Sequence, residues 1–162
     1  MKSLQNQNTN NYFFIGFLVI ALIAIIFALS ISSEQDAQYK QDYLIYQKYI
    51  TDINKGNYQE AEKMIKVLLP RYKDNYILQW HYGAILMGQE KYTEAEEHMR
   101  LAREIRPALV TLPDYLVNYG EIMYKLGNTH VAERYLNESL KYNNESKTKA
   151  VELLKLIKEG GQ

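Results

Sequence analysis

Gly56-Asn57-Tyr58-Gln59-Glu60-Ala61-Glu62, Glu90-Lys91-Tyr92-Thr93-Glu94-Ala95-Glu96 and Gly127-Asn128-Thr129-His130-Val131-Ala132-Glu133 align position for position, with alanines 34 and 37 residues apart. Four positions beyond each alanine stands a large apolar residue, Ile65, Met99 or Leu136. Residues four apart share one face of a helix. An alanine kept small on that face marks the place where another helix crosses closely. A unit that recurs at this period stacks on its own copies, because one unit cannot bury its apolar face alone.

Working outward, the soluble part of the chain favours helix throughout. Proline occurs only at 70, 107 and 113, and glycine is confined to a few turn-like places before Gly160-Gly161. Such punctuation predicts helices joined by short breaks. In the middle unit Tyr82-Gly83 forms a large-then-small pair, Leu86 follows, Ala95, Met99 and Ala102 form a small-large-small series, and Pro107 closes the unit. The third unit repeats this with Tyr119-Gly120, Met123, Ala132, Leu136 and Ser139, and Asn144 replaces the closing proline. This pattern resembles the tetratricopeptide repeat (TPR) family, whose 34-residue units are pairs of antiparallel helices. The resemblance spans about residues 42 to 158.

The first unit departs from the pattern. Lys48-Tyr49 stands where a large and then a small residue are expected, and Leu68 replaces the small residue of the later units. Its first helix must pack differently, as terminal repeats commonly do. The three extra residues between the second and third units fall in Pro107-Ala108-Leu109-Val110-Thr111-Leu112-Pro113, read as a loop that absorbs the insertion. Ala150, Val151, Leu153, Leu154 and Ile157 give a one-sided helix suited to covering the last repeat.

The amino-terminal end has another character. No charge lies between Lys2 and Glu34, and Phe13 to Ile31 contains fourteen Phe, Ile, Leu or Val residues. At roughly −0.3 to −0.6 kcal/mol each, these favour insertion into a bilayer by about 4 to 8 kcal/mol. Nineteen residues at about 1.5 Å each give roughly 28 Å, close to a hydrocarbon core of about 30 Å. The sequence thus predicts a single transmembrane helix with Tyr12 at one interface and Ser30, Ser32 and Ser33 at the other. The competing reading is a signal peptide cleaved near Ala28-Leu29-Ser30, against which stands an apolar run longer than the ~7–15 residues usual for such leaders. Lys2 faces Lys40 and Lys48 across the span. We read the amino terminus as cytoplasmic and the repeats as lying on the opposite side.

The expected organisation is therefore all-α: a polar tail at 1–12, a transmembrane helix at 13–31, a juxtamembrane segment at 32–41, and a TPR domain at 42–158. Within that domain an α-α superhelix has three helix pairs, at about 42–75, 76–110 and 113–146, with a capping helix at 146–158 and a short tail at 159–162.

The resemblance also implies a groove, since in this family the first helix of each pair faces the concave side. Carried onto this sequence, the rows are Tyr43, Tyr46, Ile50 and Ile53; then Ile77, Trp80, Ala84 and Met87; then Asp114, Val117, Glu121, Tyr124 and Lys125. The clamp that some relatives use for a chaperone's terminal carboxylates needs Lys, Arg and Asn where Tyr46, Ile50, Trp80 and Ala84 stand. An apolar, aromatic strip with an acidic edge instead suits an apolar or amphipathic segment of another protein.

Other function classes are disfavoured. All nineteen acidic residues and all but one of the nineteen basic ones follow residue 33, intermixed, with no footprint for nucleic acid. His81, His98 and His130 stand in different helices with no second histidine at the i+4 spacing of a zinc site, and no phosphate loop or nucleophile elbow is present. The sequence thus predicts no enzyme, no metal, no cofactor and no small-molecule substrate. Asn137-Glu138-Ser139 and Asn144-Glu145-Ser146 match the glycosylation sequon, a short pattern that recurs by accident. The reading is a membrane-anchored scaffold or adaptor serving assembly or function of a membrane or envelope complex. The alternatives are a structural subunit held through its span, and a secreted TPR protein after leader cleavage.

Overall fold

The computed structural model describes residues 2–142 and 145–160, with side chains from residue 12 onward. Seven helices account for it: α1 (Lys2–Asn54), α2 (Tyr58–Leu68), α3 (Tyr76–Gly88), α4 (Tyr92–Ile105), α5 (Pro113–Lys125), α6 (Thr129–Ser139) and α7 (Lys147–Gly160). No strand occurs among the described residues. The chain divides into two compact units, Met1–Leu44 and Ile45–Gln162.

The first unit is helical from Lys2 onward. Where the sequence was read as tail, span, juxtamembrane segment and the start of a repeat, the backbone runs as one helix. The physical reason is visible at 32–41, which holds neither proline nor glycine to stop it. Every large apolar side chain from Phe13 to Ile31 is exposed. By length and composition α1 contains the one stretch among the described residues long and apolar enough to cross a membrane.

In the second unit the last turns of α1, from Ile45, are followed by α2, and the pairs α3/α4 and α5/α6 form the most extensive helix contacts. One turn is used three times. Gly56, Glu90 and Gly127 adopt φ of 75°, 62° and 79°. In each case the next amide reaches back five residues, Asn57 to Asp52, Lys91 to Leu86 and Asn128 to Met123, at 2.8, 3.0 and 2.9 Å. This is the Schellman closure, in which a left-handed residue lets the last carbonyls of a helix be satisfied. Glycine adopts that conformation without steric cost, whereas a side chain pays roughly 1–2 kcal/mol there. Glu90→Gly is accordingly expected to stabilise the domain by about 1 kcal/mol, read as a higher urea midpoint at unchanged slope.

The core follows the repeat register. Ala61, Ile65, Ala95, Met99, Ala102, Ala132 and Leu136 are fully buried. A Cβ on Gly83 would lie 2.7 Å from Met99 Cγ, and one on Gly120 would lie 2.8 Å from Leu136 Cγ, so at both glycines the paired helix leaves no room for a side chain. Tyr49 occupies the same register in the first unit and is fully buried. Its hydroxyl shares a 3.0 Å hydrogen bond with His81 Nδ1. Burial pushes the His81 imidazole down to about 4, so the ring is neutral at pH 7.

Two expectations need correction. The insertion is no passive loop: Pro107–Thr111 forms a 3-10 turn and Leu109 is fully buried, because an apolar residue beside α4 and α5 gains more from the core than from solvent. The final helix begins at Lys147 and continues through Glu159 and Gly160 into the segment read as tail. Residues 161–162, like Asn144, which closes the third unit and opens its sequon, lie outside the described residues. The other sequon is helical, with Ser139 buried and its hydroxyl donating to Leu136 O at 2.6 Å.

Candidate protein-binding groove

The first helices of successive pairs lie side by side, since α5 contacts both α3 and α7. Rings connect them in a continuous series. Tyr46 packs edge-on to Tyr49 at 5.1 Å and lies 6.4 Å from His81, and Trp80 meets Tyr115 edge-on at 6.0 Å. Such offset and T-shaped pairs fix ring orientation beyond simple burial. Tyr46, Ile50, Ile53, Trp80 and Met87 are half-buried, packed on the core with one side left to solvent. Ile77 and Ala84 are also half-buried. The Trp80 Nε1–H is shielded and meets no acceptor among the described residues, so packing alone holds this ring.

The third row differs from expectation. Val117 is 1% exposed. It stands at the register of Trp80, and a side chain that short does not reach out of the interior. Asp114 accepts a hydrogen bond from the Ser146 hydroxyl, and Glu121 pairs with Lys149 at 2.6 Å, so the acidic edge is already engaged by the first turn of α7 and the residue before it. Tyr124 is half-buried on the core, while Lys125 sets its ammonium 6.0 Å over the Tyr92 ring. Tyr43 is exposed on the part of α1 that belongs to the first unit.

The structure therefore brings together Tyr46, Ile50, Trp80 and Met87 as a partly open apolar surface, with Tyr49, His81 and Tyr115 beneath it. Those last three were not picked out by sequence. Tyr49 was flagged only as an anomaly, and His81 only as a metal ligand to be dismissed.

Tyrosine also locks repeat to repeat. The Tyr82 hydroxyl donates to Glu62 at 3.3 Å, and the Tyr119 hydroxyl donates to Glu96 at 2.8 Å, the same contact one repeat later. Glu62 further accepts from Gln89 at 2.8 Å and pairs with Lys66 and Lys91 at 2.5 and 3.4 Å. The hydrogen bond from Lys66, helped by Gln89, holds its carboxyl down at about 2.

Stacked hairpins with a shared left-handed turn, glycine at the crossing and first helices ranked along one face have clear counterparts among solved structures. The fold is that of a tetratricopeptide repeat domain. The chain matches the Yersinia enterocolitica type III secretion chaperone SycD in complex with a peptide of the translocator YopD, at 17% identity and a TM-score of 0.60, over 74% of this chain and 94% of that one. It matches the first TPR of Spaghetti (RPAP3) bound to an HSP90 peptide, at 17% identity and 0.61, over 74% and 91%. The TPR2B domain of yeast Sti1 in complex with pHsp70 aligns at 14% identity and 0.61, over 74% and 97%. No family model matches the sequence, and no curated protein does. At these identities the TPR likeness carries the fold, and function has to come from the groove's own side chains.

Proposed function

We propose that the protein is a single-pass, membrane-anchored scaffold whose TPR groove holds an apolar or amphipathic segment of another protein. The observation that carries this reading is the half-open row Tyr46, Ile50, Trp80 and Met87 on adjacent first helices. Aromatic side chains fixed by packing but open on one side are the usual anchors of protein interfaces. The absence of lysine or arginine from Tyr46, Ile50, Trp80 and Ala84 turns the preference away from a carboxylate terminus and towards apolar side chains.

The exposed run from Phe13 to Ile31 supports the anchor, because a helix hydrophobic all round is at home in lipid. Anchoring confines the groove to the bilayer surface and raises its effective concentration near other membrane proteins, so a modest contact suffices. We place the amino terminus on the cytoplasmic side and the repeats opposite, in the service of assembly or function of a membrane or envelope complex. A scaffold role calls for no catalysis, cofactor or nucleic acid.

The test is site-specific crosslinking in intact membranes from a photoreactive residue at position 84, followed by mass spectrometry. A defined protein adduct is expected. Tyr46→Ala with Trp80→Ala should weaken it about thirtyfold, since truncating a hot spot costs at least roughly 2 kcal/mol. An adduct unaffected by that pair would assign binding to another surface.

A further inference from the structure

An open cleft of about 500 Å³ lies between α4 and the α5/α6 hairpin, lined among others by Glu96, Arg103, Tyr119, Arg134 and Tyr135. Its volume falls in the range of ligand sites, roughly 300–1,000 Å³. Arg103 places its guanidinium 5.2 Å over the Tyr119 ring and donates to the Tyr135 hydroxyl, and Arg134 lies 5.3 Å over the Tyr135 ring. The two rings are themselves 4.7 Å apart. Two guanidinium groups are thus seated on one tyrosine wall.

Neither is paired with a carboxylate among the described residues, although neighbouring cations are. Arg100 pairs with Glu104, and Glu138, one turn beyond Arg134, is held by Lys141 at 2.6 Å. Glu96 lines the same cleft but lies seven residues from Arg103 along α4, roughly 10 Å away, and accepts the Tyr119 hydroxyl instead.

The repeat provides an internal control. At the preceding junction the register equivalents of Arg103 and Arg134 are Leu69 and Glu97. There Glu62 is neutralised within the fold by Lys66 and Lys91. Stacking one repeat on the next therefore needs no cation at these two positions, and the pair at the second junction is surplus to the architecture.

From this geometry we infer a second binding site, for an acidic peptide segment. A guanidinium lying on an aromatic face still presents its N–H edge, and that fork matches a carboxylate two bonds at a time. Two such forks along an open cleft suit successive Asp or Glu side chains of a chain passing through, rather than an enclosed small molecule. The site is built from α4, α5 and α6 and uses none of the side chains Tyr46, Ile50, Trp80 and Met87.

The probe is a fluorescein-labelled, amidated Asp-Glu-Glu-Asp peptide, titrated with the full-length protein in neutral detergent and followed by fluorescence anisotropy. Saturable binding is expected, tenfold weaker in Arg134→Gln, whose exposed side chain can change without disturbing α6. Loss should be complete in the double variant with Arg103→Gln. Arg100→Gln removes the same charge from α4 outside the cleft and should leave affinity within twofold. The inference is overturned by absence of saturable binding at millimolar protein, by an equal loss in Arg100→Gln, or by inorganic phosphate displacing the peptide as effectively as unlabelled peptide does.

Discussion

Gly83→Ala is expected to destabilise the repeat domain, and Met99→Ala in the same chain to restore part of what is lost. In an ordinary helix interior the first change would help, by roughly 0.5–1 kcal/mol, because glycine costs more backbone entropy than alanine. Here the added Cβ meets Met99 Cγ at 2.7 Å and the Ala95 carbonyl oxygen at 3.0 Å. Forcing a methyl into a close-packed site typically costs about 1–3 kcal/mol. Truncating the fully buried Met99 alone should cost about 2–5 kcal/mol through lost contacts and a cavity. Combined, the new methyl enters space the methionine leaves, so the double variant should fall short of the sum by about 0.5–3 kcal/mol. Recovery stays partial because the Ala95 carbonyl belongs to the α4 backbone and does not retreat. At Gly120 the nearest atoms are Leu136 Cγ and Cδ2, both at 2.8 Å, with the Ala132 carbonyl further off at 3.4 Å. Relief of Gly120→Ala by Leu136→Ala should therefore be the more complete of the two. Urea denaturation of the four single and two double variants checks this ordering. Additive costs at both positions would mean that these glycines are not set by the helix crossing.

The same contacts explain what the sequence could disclose. An alanine or glycine is informative when it recurs opposite a large residue, because only a close backbone crossing requires that combination. Ala61, Ala95 and Ala132, with Gly83 and Gly120, carry that message, and so the helix pairs were legible. Glu90 could have been read as well, as the odd member of a glycine column. The continuity of α1 could have been read from the absence of any stop signal between Ile31 and Asn54.

The groove was less accessible. Which side of a helix is covered depends on what lies across from it, and Ser146 and Lys149 reach Asp114 and Glu121 from a helix 25 or more positions away. No local periodicity encodes that. Val117 and Trp80 share a register but differ in length, so one is interior and the other half-open. The Arg103 and Arg134 cleft escaped notice for a similar reason: in one dimension each arginine is an ordinary charge on a helix, and only folding shows that neither finds an acid among the described residues.

Val19→Arg together with Ile23→Arg should release the protein from membranes without unfolding its repeats. Both native side chains are exposed on α1, at 51% and 59%, and stand four residues apart on one face near the middle of the apolar run. Each arginine costs about 2.5–3.5 kcal/mol at the centre of a membrane helix, and each lost aliphatic residue forgoes a further 0.3–0.6 kcal/mol. Together the changes oppose insertion by roughly 6–8 kcal/mol, comparable with the whole favourable sum for Phe13 to Ile31. Neither position belongs to the core of the second unit, so helical content and the urea midpoint of the repeats should be unchanged. The measurement is the partition of full-length protein between pellet and supernatant after alkaline carbonate extraction, with the amino terminus of each fraction sequenced. The native chain should pellet with its first residues intact, and the double variant should be found in the supernatant. A native chain recovered in solution and beginning near Ser30 would instead show that the apolar helix is a leader. In that case the groove and the arginine cleft would have to find their partners without the help of a shared membrane.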